Sequence, residues 1–128
     1  MSGVQYTFSK EERLSHRDTI SLLFSRKGKS LSRGPILLAY LETKLPTSFP
    51  AQVLVSVGKK RFKRAVVRNR IKRKIKESYR LQKHELYEVL QHKQLAILII
   101  YTGKTEPDFS SVNKHLSLLM NELIKRYQ

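Results

Sequence analysis

The segment from Lys59 to Lys76 constrains the fold of this chain most, because it joins a dense positive charge to a helical spacing of apolar residues. Its 18 residues contain 11 Lys or Arg and neither Asp nor Glu. When residues 65–82 are wound at 3.6 residues per turn, apolar side chains fall in one stripe: Val67, Ile71, Ile75 and Tyr79. The pattern predicts a helix that packs on the core by this stripe and exposes cations on its other side.

The polar side of the predicted helix indicates what the charge binds. Its residues follow one another at i+4, i+3 and i+4 steps: Asn69, Arg73, Lys76 and Arg80. Cations held this close together need a counter-charge, and phosphate oxygens match the bidentate geometry of guanidinium groups. The whole chain carries a net charge of +16, which also favours a polyanionic partner. We therefore predict binding to nucleic acid, ahead of binding to an anionic membrane surface.

Length and composition set the class of protein. A chain of 128 residues suits one core, so we expect a single domain over residues 1–128, with residues 1–8 irregular. The chain has no Cys, which excludes disulfides and Cys-based zinc sites. Its longest apolar stretch, residues 95–101, is too short for a membrane helix, and the N-terminus lacks an apolar signal segment. We expect a cytoplasmic protein.

The N-terminal part predicts a first helix with one apolar face. A capping-box pattern occurs at residues 9–12, and a second such start occurs at residues 15–18. Ile20, Leu23 and Phe24 then recur at helical spacing. Gly28 is typical of a helix end, so we expect the helix to stop there.

The remaining segments predict one small sheet. Residues 35–42 and 52–57 have the pattern of two strands that form a hairpin. Residues 95–101 are aliphatic almost throughout, as is typical of a central strand buried on both faces. A closing amphipathic helix follows, from Val112 to Tyr127. The order of helix, two or three strands, helix, strand and helix predicts an α+β domain with a single sheet.

The basic segment resembles the signature of a known family. Residues 58–73 read Gly-Lys-Lys-Arg-Phe-Lys-Arg-Ala-Val-Val-Arg-Asn-Arg-Ile-Lys-Arg. This is similar to the signature of the bacterial ribonuclease P protein component, which has an Arg-Asn-Arg core on a helix preceded by a Lys-Lys pair. The core here is Arg68-Asn69-Arg70, and the pair is Lys59-Lys60. Supporting similarity in the order and spacing of elements extends over about residues 10–125.

The resemblance implies both a fold and a function. The fold is α+β with the order αβββαβα and a left-handed crossover at the Arg-Asn-Arg helix. The implied function is that of the protein subunit of a ribonucleoprotein that removes the 5′ leader from precursor tRNA. The whole chain would then be a single RNA-binding domain. The RNA subunit is the catalyst, magnesium binds through that RNA, and the protein broadens substrate recognition and lowers the magnesium requirement. The implied RNA-subunit contacts are Lys59, Lys60, Arg61, Arg64, Arg68, Asn69, Arg70, Lys72, Arg73 and Lys76.

The resemblance also implies a cleft for the single-stranded leader, between the sheet and the first helix. Such a cleft offers apolar platforms for bases and cations for the backbone. Ile20 and Phe24 match the helix positions of the family, which often has an aromatic residue where Ile20 stands. Tyr40 and Val55 are the candidate leader-binding residues on the sheet.

The sequence predicts no catalytic and no metal-binding residue in the protein. Hydrolysis of a phosphodiester at neutral pH usually needs carboxylates that position a metal, or a pair of histidines. The ten acids are scattered outside the basic segment. The four histidines lack the spacing of metal ligands: His16, His84, His92 and His115. This agrees with a reaction carried out by RNA.

Three other functions compete with this interpretation. A ribosomal RNA-binding protein is one, since small basic α+β domains are common there. A DNA-binding module is disfavoured, because the basic helix follows a strand and lacks a helix-turn-helix partner. A membrane-surface protein is disfavoured, because the aliphatic stripe of the basic helix is needed for the core.

Overall fold

Four strands form one mixed sheet in the computed structural model, which describes residues 8–25 and 27–128. Across the sheet the strands lie in the order β1-β2-β4-β3, with β3 parallel to β4 and the other neighbours antiparallel. The predicted single-sheet α+β class is confirmed. The strands are β1 (Lys29–Arg33), β2 (Ile36–Glu42), β3 (Ala51–Val57) and β4 (Leu95–Tyr101).

The predicted hairpin of residues 35–42 and 52–57 is wrong, because β4 lies between these two strands. In β4, Leu95 faces Glu42 of β2 on one side and Ala51 of β3 on the other. A central strand buries both of its faces, which explains the aliphatic run of β4. The hairpin in the described structure joins β1 to β2 through Gly34 and Pro35, and Gly34 supplies a φ of +54°.

Three helices complete the predicted order αβββαβα. They are α1 (Arg17–Leu23), α2 (Ala65–Leu90) and α3 (Phe109–Tyr127). The segment from β3 through α2 to β4 connects parallel neighbours, and the left hand that the resemblance implies for it stays a prediction. Within the described ranges, none of the helices has both the length and the apolar character that spanning a bilayer demands.

The first helix is shorter than predicted and is preceded by a separate turn. The turn is a 3-10 helix, Lys10–Glu12, and the Glu12 carboxylate accepts a 3.0 Å bond from the Ser9 N–H, as the capping box predicts. The chain then runs along β3, and α1 starts after His16, so the predicted start at residues 15–18 needs correction. The predicted irregular segment 1–8 lies outside the described residues, apart from Phe8.

The end of α1 also differs from the prediction, because the helix stops at Leu23 rather than at Gly28. Residues 24 and 25 continue as a turn, and the Gly28 N–H donates to the Ser25 carbonyl at 3.2 Å. A side chain at residue 28 would place its Cβ 2.3 Å from the Leu23 carbonyl oxygen. Gly28 therefore permits this close return of the chain onto the helix end.

The two faces of the sheet bury different amounts of apolar surface. The face under α2 and α3 holds the main core, and three residues of the predicted stripe, Ile71, Ile75 and Tyr79, are fully buried there. The opposite face, under α1, holds a smaller cluster: Leu14, Leu23, Ala39, Leu45, Ala96 and Leu98. The apolar side chains beside this cluster remain partly exposed: Ile20, Leu37, Leu41, Leu54 and Ile100.

Candidate nucleic-acid interface

The turn between β3 and α2 presents cations around one buried aromatic ring. Phe62 is buried, and its ring centroid lies 6.0 Å from that of Tyr101. The predicted contacts Lys59, Lys60 and Arg61 are all exposed beside it. Because Phe62 is anchored in the core, the backbone of this basic turn is held in place while its charges face solvent.

The N-terminus of α2 carries cations where helices usually carry acids. Its first turn contains no acid, and the N-cap residue Arg64 makes no side-chain capping bond. The free N–H groups at a helix N-terminus give it a partial positive charge. Basic side chains at this position add to that charge, and a phosphate group at the helix end would stabilise the arrangement.

Arg68 of the Arg-Asn-Arg core fastens the basic turn to the helix. Its Nη1 donates to the Phe62 carbonyl at 2.7 Å and to the Lys63 carbonyl at 2.9 Å. Charge-assisted bonds of this kind are stronger than neutral ones. Arg68 therefore has a structural role besides the predicted RNA contact, and its place in the motif does not reveal that role.

Arg70 of the same core is paired with an acid from the loop before α3. Its Nε and Nη2 each donate to the Glu106 carboxylate at 2.8 Å, and Lys74 Nζ lies 3.3 Å from the same carboxylate. The hydrogen bond from Arg70 lowers the pKa of Glu106 to about 2. The carboxylate thus occupies one edge of the guanidinium in the geometry that a phosphate would adopt. Sequence reasoning missed Glu106, because nothing local links residues 36 positions apart.

A further group of cations lies on the outer face of α2. Four of the predicted contacts line one shallow hollow there: Asn69, Lys72, Arg73 and Lys76. Partial burial, together with the charges of Arg13 and Lys72, lowers the pKa of Lys76. No acid lines the hollow, so repulsion between its cations is not relieved locally. We call these four residues the basic hollow.

The two leader-binding candidates on α1 are placed differently. Phe24 caps the C-terminal end of α1 and is 70% exposed, which is unusual for a large aromatic side chain. Ile20 is half-buried and packs against the small cluster under α1. Phe24 is therefore available to a ligand, and Ile20 contributes partly to the core.

The two candidates on the sheet are on the wrong face for a cleft beside α1. Tyr40 and Val55 are 2% and 5% exposed and belong to the main core under α2 and α3. Tyr40 also accepts a 3.1 Å hydrogen bond from Arg126 of α3. Side chains alternate between the two faces of a sheet. Tyr40 and Val55 both stand at positions whose side chains point to the face under α2 and α3.

Other apolar side chains lie half-buried on the α1 face of the sheet. Leu37, Leu54 and Ile100 pack on the small cluster and keep part of their surface exposed. Leu37 and Ile100 are direct neighbours across β2 and β4, and Ile100 faces Ser56 of β3. The result is an apolar strip on the sheet that reaches the end of β3, where the basic turn begins. The alternation of side chains along β2 could have placed Leu37 on the α1 face, because Leu37 lies an odd number of positions from Tyr40 and so points to the other face.

The described residues contain no group of three or more His, Asp or Glu side chains that could hold a metal ion. What the interface does offer is a row of cations, a basic turn and an apolar strip with an exposed aromatic ring. These are the groups that bind single-stranded nucleic acid and its phosphates.

The comparisons with known proteins agree with this geometry. A family model described as ribonuclease P matches residues 8–124. The ribonuclease P protein component of Porphyromonas gingivalis is 40% identical over 88% of this chain and 83% of its own length. That of Chlorobium phaeobacteroides is 34% identical, with 96% of this chain and 92% of its own length covered.

Solved structures with the same fold include two bacterial proteins. The RNase P protein of Staphylococcus aureus matches with a TM-score of 0.71 and 20% identity, over 88% of this chain and 95% of that one. The RNase P protein of Thermotoga maritima matches with a TM-score of 0.68 and 25% identity, over 87% and 96%. The chain belongs to the ribonuclease P protein family, the protein component of a bacterial endoribonuclease that processes tRNA.

Proposed function

We propose that this protein binds the RNA subunit of ribonuclease P through its basic turn and basic hollow, and holds the leader of precursor tRNA on the face beside α1. In this proposal the RNA subunit carries out the cleavage and holds the magnesium ions, and the complex works in the cytoplasm. The protein broadens substrate recognition by binding a part of the substrate that the RNA subunit does not hold.

The observation that carries the proposal is the basic hollow. Its Lys72, Arg73 and Lys76 lie on one face of α2 with no acid among the lining residues. Partial burial first, and then the positive charges of Arg13 and Lys72, lower the pKa of Lys76, whereas a neighbouring acid would raise it. A polyphosphate ligand removes that repulsion and gains the release of its own counter-ions.

The leader surface is supported by the exposed ring of Phe24 and by the apolar strip on the sheet. Bases stack on such platforms without regard to sequence, which suits leaders of varied sequence. The strip ends beside the basic turn, so a strand that leaves the RNA subunit can pass directly onto it. This contiguity allows one protein to bind both RNAs at once.

The protein's charge should lower the magnesium requirement of the RNA subunit. The RNA must bring a phosphate-rich substrate to its own phosphate-rich surface, and a protein of net charge +16 reduces that repulsion. Single-turnover cleavage of precursor tRNA over a magnesium series should show no cleavage by protein alone. The mixture should reach half-maximal rate at severalfold lower magnesium than the RNA alone. Cleavage by RNA-free protein would place the active site in the protein and contradict the proposal.

The leader surface is tested by Phe24→Ala. We expect affinity for leader-bearing precursor tRNA to fall by about 1 to 3 kcal/mol, the range for loss of one base stacked on an aromatic ring. Affinity for mature tRNA should change little. The fold should survive, because Phe24 is 70% exposed.

Leu118→Ala is the matched control for Phe24→Ala, since Leu118 is 47% exposed on α3, which packs on the opposite face of the sheet from α1. It should leave both affinities unchanged. Equal losses for precursor and mature tRNA in the Phe24 variant would assign Phe24 a role other than leader binding.

A further inference from the structure

The loop between β4 and α3 is anchored on both sides of its acid, Glu106. The Tyr101 hydroxyl donates to the Thr105 carbonyl at 2.7 Å, one residue before the acid. Pro107, one residue after it, is buried, and its carbonyl accepts a 2.7 Å hydrogen bond from Lys74 of α2. The fold therefore sets where the Glu106 carboxylate lies, and the carboxylate can in turn fix the side chain that it binds.

Glu106 binds one edge of the Arg70 guanidinium. That edge is formed by Nε and Nη2, which each donate to the carboxylate at 2.8 Å. Nη1 and Nη2 form a second edge of the same planar group, and this edge also matches a phosphate in bidentate geometry. Among the described residues no acceptor bonds to Nη1, and the Arg70 side chain is exposed. The second edge thus keeps hydrogen-bond donors for a ligand.

Arg70 stands beside the basic hollow. It precedes Arg73 by three residues on α2, and side chains at this spacing are neighbours on a helix surface. Neighbouring phosphates of one RNA strand can therefore contact both arginines. This places the second edge of the Arg70 guanidinium next to the surface to which we assign the RNA subunit.

An arginine that is already held in one rotamer binds a phosphate at lower cost than a mobile one. Fixing one long side chain on binding weakens affinity by about 2- to 10-fold. Glu106 fixes Arg70 before the RNA arrives, so this loss is avoided. The carboxylate also repels phosphate, since Arg70 lowers its pKa to about 2 and keeps it ionised at neutral pH. Lys74 offsets that negative charge, with its Nζ 3.3 Å from the carboxylate.

We propose that Glu106 is a positioning residue for RNA binding, which holds one edge of the Arg70 guanidinium so that the other edge meets a phosphate of the RNA subunit. The inference rests on the proposed function, which places that RNA on α2. Its consequence is that removal of an acid beside a polyanion should weaken binding. Repulsion alone predicts the opposite sign, because a carboxylate near phosphates disfavours their approach.

Glu106→Ala tests that sign, and Glu122→Ala is its matched control. Glu122 also pairs with an arginine, and the side-chain exposures of the two pairs are nearly equal: 46% and 29% for Arg70 and Glu106, 44% and 30% for Arg33 and Glu122. Both variants raise the net charge by the same amount. In titrations of a bacterial ribonuclease P RNA transcript, Glu106→Ala should bind about 2- to 10-fold more weakly than Glu122→Ala. Glu106→Gln keeps an acceptor for Arg70 and should bind more tightly than Glu106→Ala.

The effect of Glu106 should pass through Arg70. Arg70→Ala should itself weaken binding and make the salt slope shallower by about 0.7 to 0.9, the contribution of one phosphate contact. In the Arg70→Ala background, Glu106→Ala should cause no further loss. A role in folding of the loop would instead give the same loss in both backgrounds, together with a lower melting temperature.

The outcomes separate this inference from the proposed function. If the transcript binds equally to the parent protein and to a variant in which Lys72, Arg73 and Lys76 are alanine, the proposed interface on α2 is wrong. If that variant binds weakly but Glu106→Ala binds as tightly as Glu122→Ala or more tightly, Glu106 merely competes with phosphate and the inference is overturned. A loss of equal size with and without Arg70 also overturns it, since Glu106 then acts on the loop and not through the guanidinium.

Discussion

Replacing Lys72, Arg73 and Lys76 by alanine should weaken binding of the RNA subunit by about 100-fold, since each lost contact is worth about 1 kcal/mol. The slope of log affinity against log salt should become shallower by about 2 to 3, because each phosphate contact contributes about 0.7 to 0.9. The three side chains line the basic hollow on the outer face of α2. The fold should therefore survive, and the circular-dichroism spectrum should match that of the parent protein.

The control for this variant removes three lysines that lie outside the basic hollow: Lys104, Lys114 and Lys125 are all exposed. Both triple variants have the same net charge, so any difference between them reports position rather than total charge. Equal affinities across a salt titration would show that the RNA subunit responds only to the overall charge, contrary to the proposed interface.

Arg68→Ala provides a further contrast within the same helix. Its guanidinium holds two carbonyls of the basic turn, so the variant should lose thermal stability as well as affinity. A change that lowers both quantities cannot by itself assign an RNA contact. For that reason the residues of the basic hollow are better probes of the interface than the arginines of the Arg-Asn-Arg core.

The buried face and the charged face of α2 could both be predicted from the sequence, because they depend on local periodicity. The buried side chains of Ile71, Ile75 and Tyr79 and the cations of the basic hollow follow directly from a repeat of 3.6 residues. Both faces of one helix are encoded within a single continuous segment. The prediction therefore needed no knowledge of which other elements pack against it.

Pairing between distant strands could not be predicted in the same way. Residues 35–42 and 52–57 are close in sequence and both suit strands, yet β4 pairs with each of them and lies between them. That choice depends on the burial of β4 on both faces, a property of the whole sheet. Once the pairing is known, the parity of each strand assigns Leu37 to the α1 face and Tyr40 to the core.

Ion pairs between residues that are far apart in the sequence could not be predicted either. Glu106 meets Arg70, and Glu12 meets Lys83, over separations of 36 and 71 residues. In the sequence each of these side chains looks like an ordinary surface charge. Only the packing of the loop before α3, and of the N-terminal segment on α2, brings the partners together.

The pair of Glu12 and Lys83 is the only ion pair among the described residues with both side chains almost fully buried, at 1% and 4% exposed. The Glu12 carboxylate also accepts hydrogen bonds from the Tyr87 hydroxyl at 2.5 Å and from the Ser9 N–H at 3.0 Å. These contacts tie the N-terminal segment to α2. Arg13, the next residue, lies close enough to influence the pKa of Lys76 in the basic hollow.

Lys83→Met should destabilise the protein by about 3 to 5 kcal/mol, because it leaves the Glu12 carboxylate buried without its cation. For a domain of this size the melting temperature should fall by about 10 to 20 °C. Glu12→Gln/Lys83→Met removes both charges and should recover much of the loss, since the buried charge is then absent as well. Lys114→Met, an exposed substitution on α3, should change stability by no more than about 0.5 kcal/mol.

The pH dependence of the same variants tests the role of charge directly. Burial alone would raise the pKa of Glu12, but hydrogen bonds from Lys83, Tyr87 and Ser9 together lower it. A carboxyl with a lowered pKa stabilises the folded state above its unfolded pKa, and this contribution is lost as pH falls through the folded pKa. The parent protein should therefore lose stability on acidification.

In Lys83→Met the carboxyl of Glu12 lacks its cation, so protonation relieves the buried charge. The difference in unfolding free energy between this variant and the parent protein should therefore narrow at low pH. Denaturant unfolding of both proteins between neutral and acidic pH measures that gap. A gap that stays constant over this range would mean that lost packing of the lysine stem, rather than the unpaired carboxylate, causes the destabilisation.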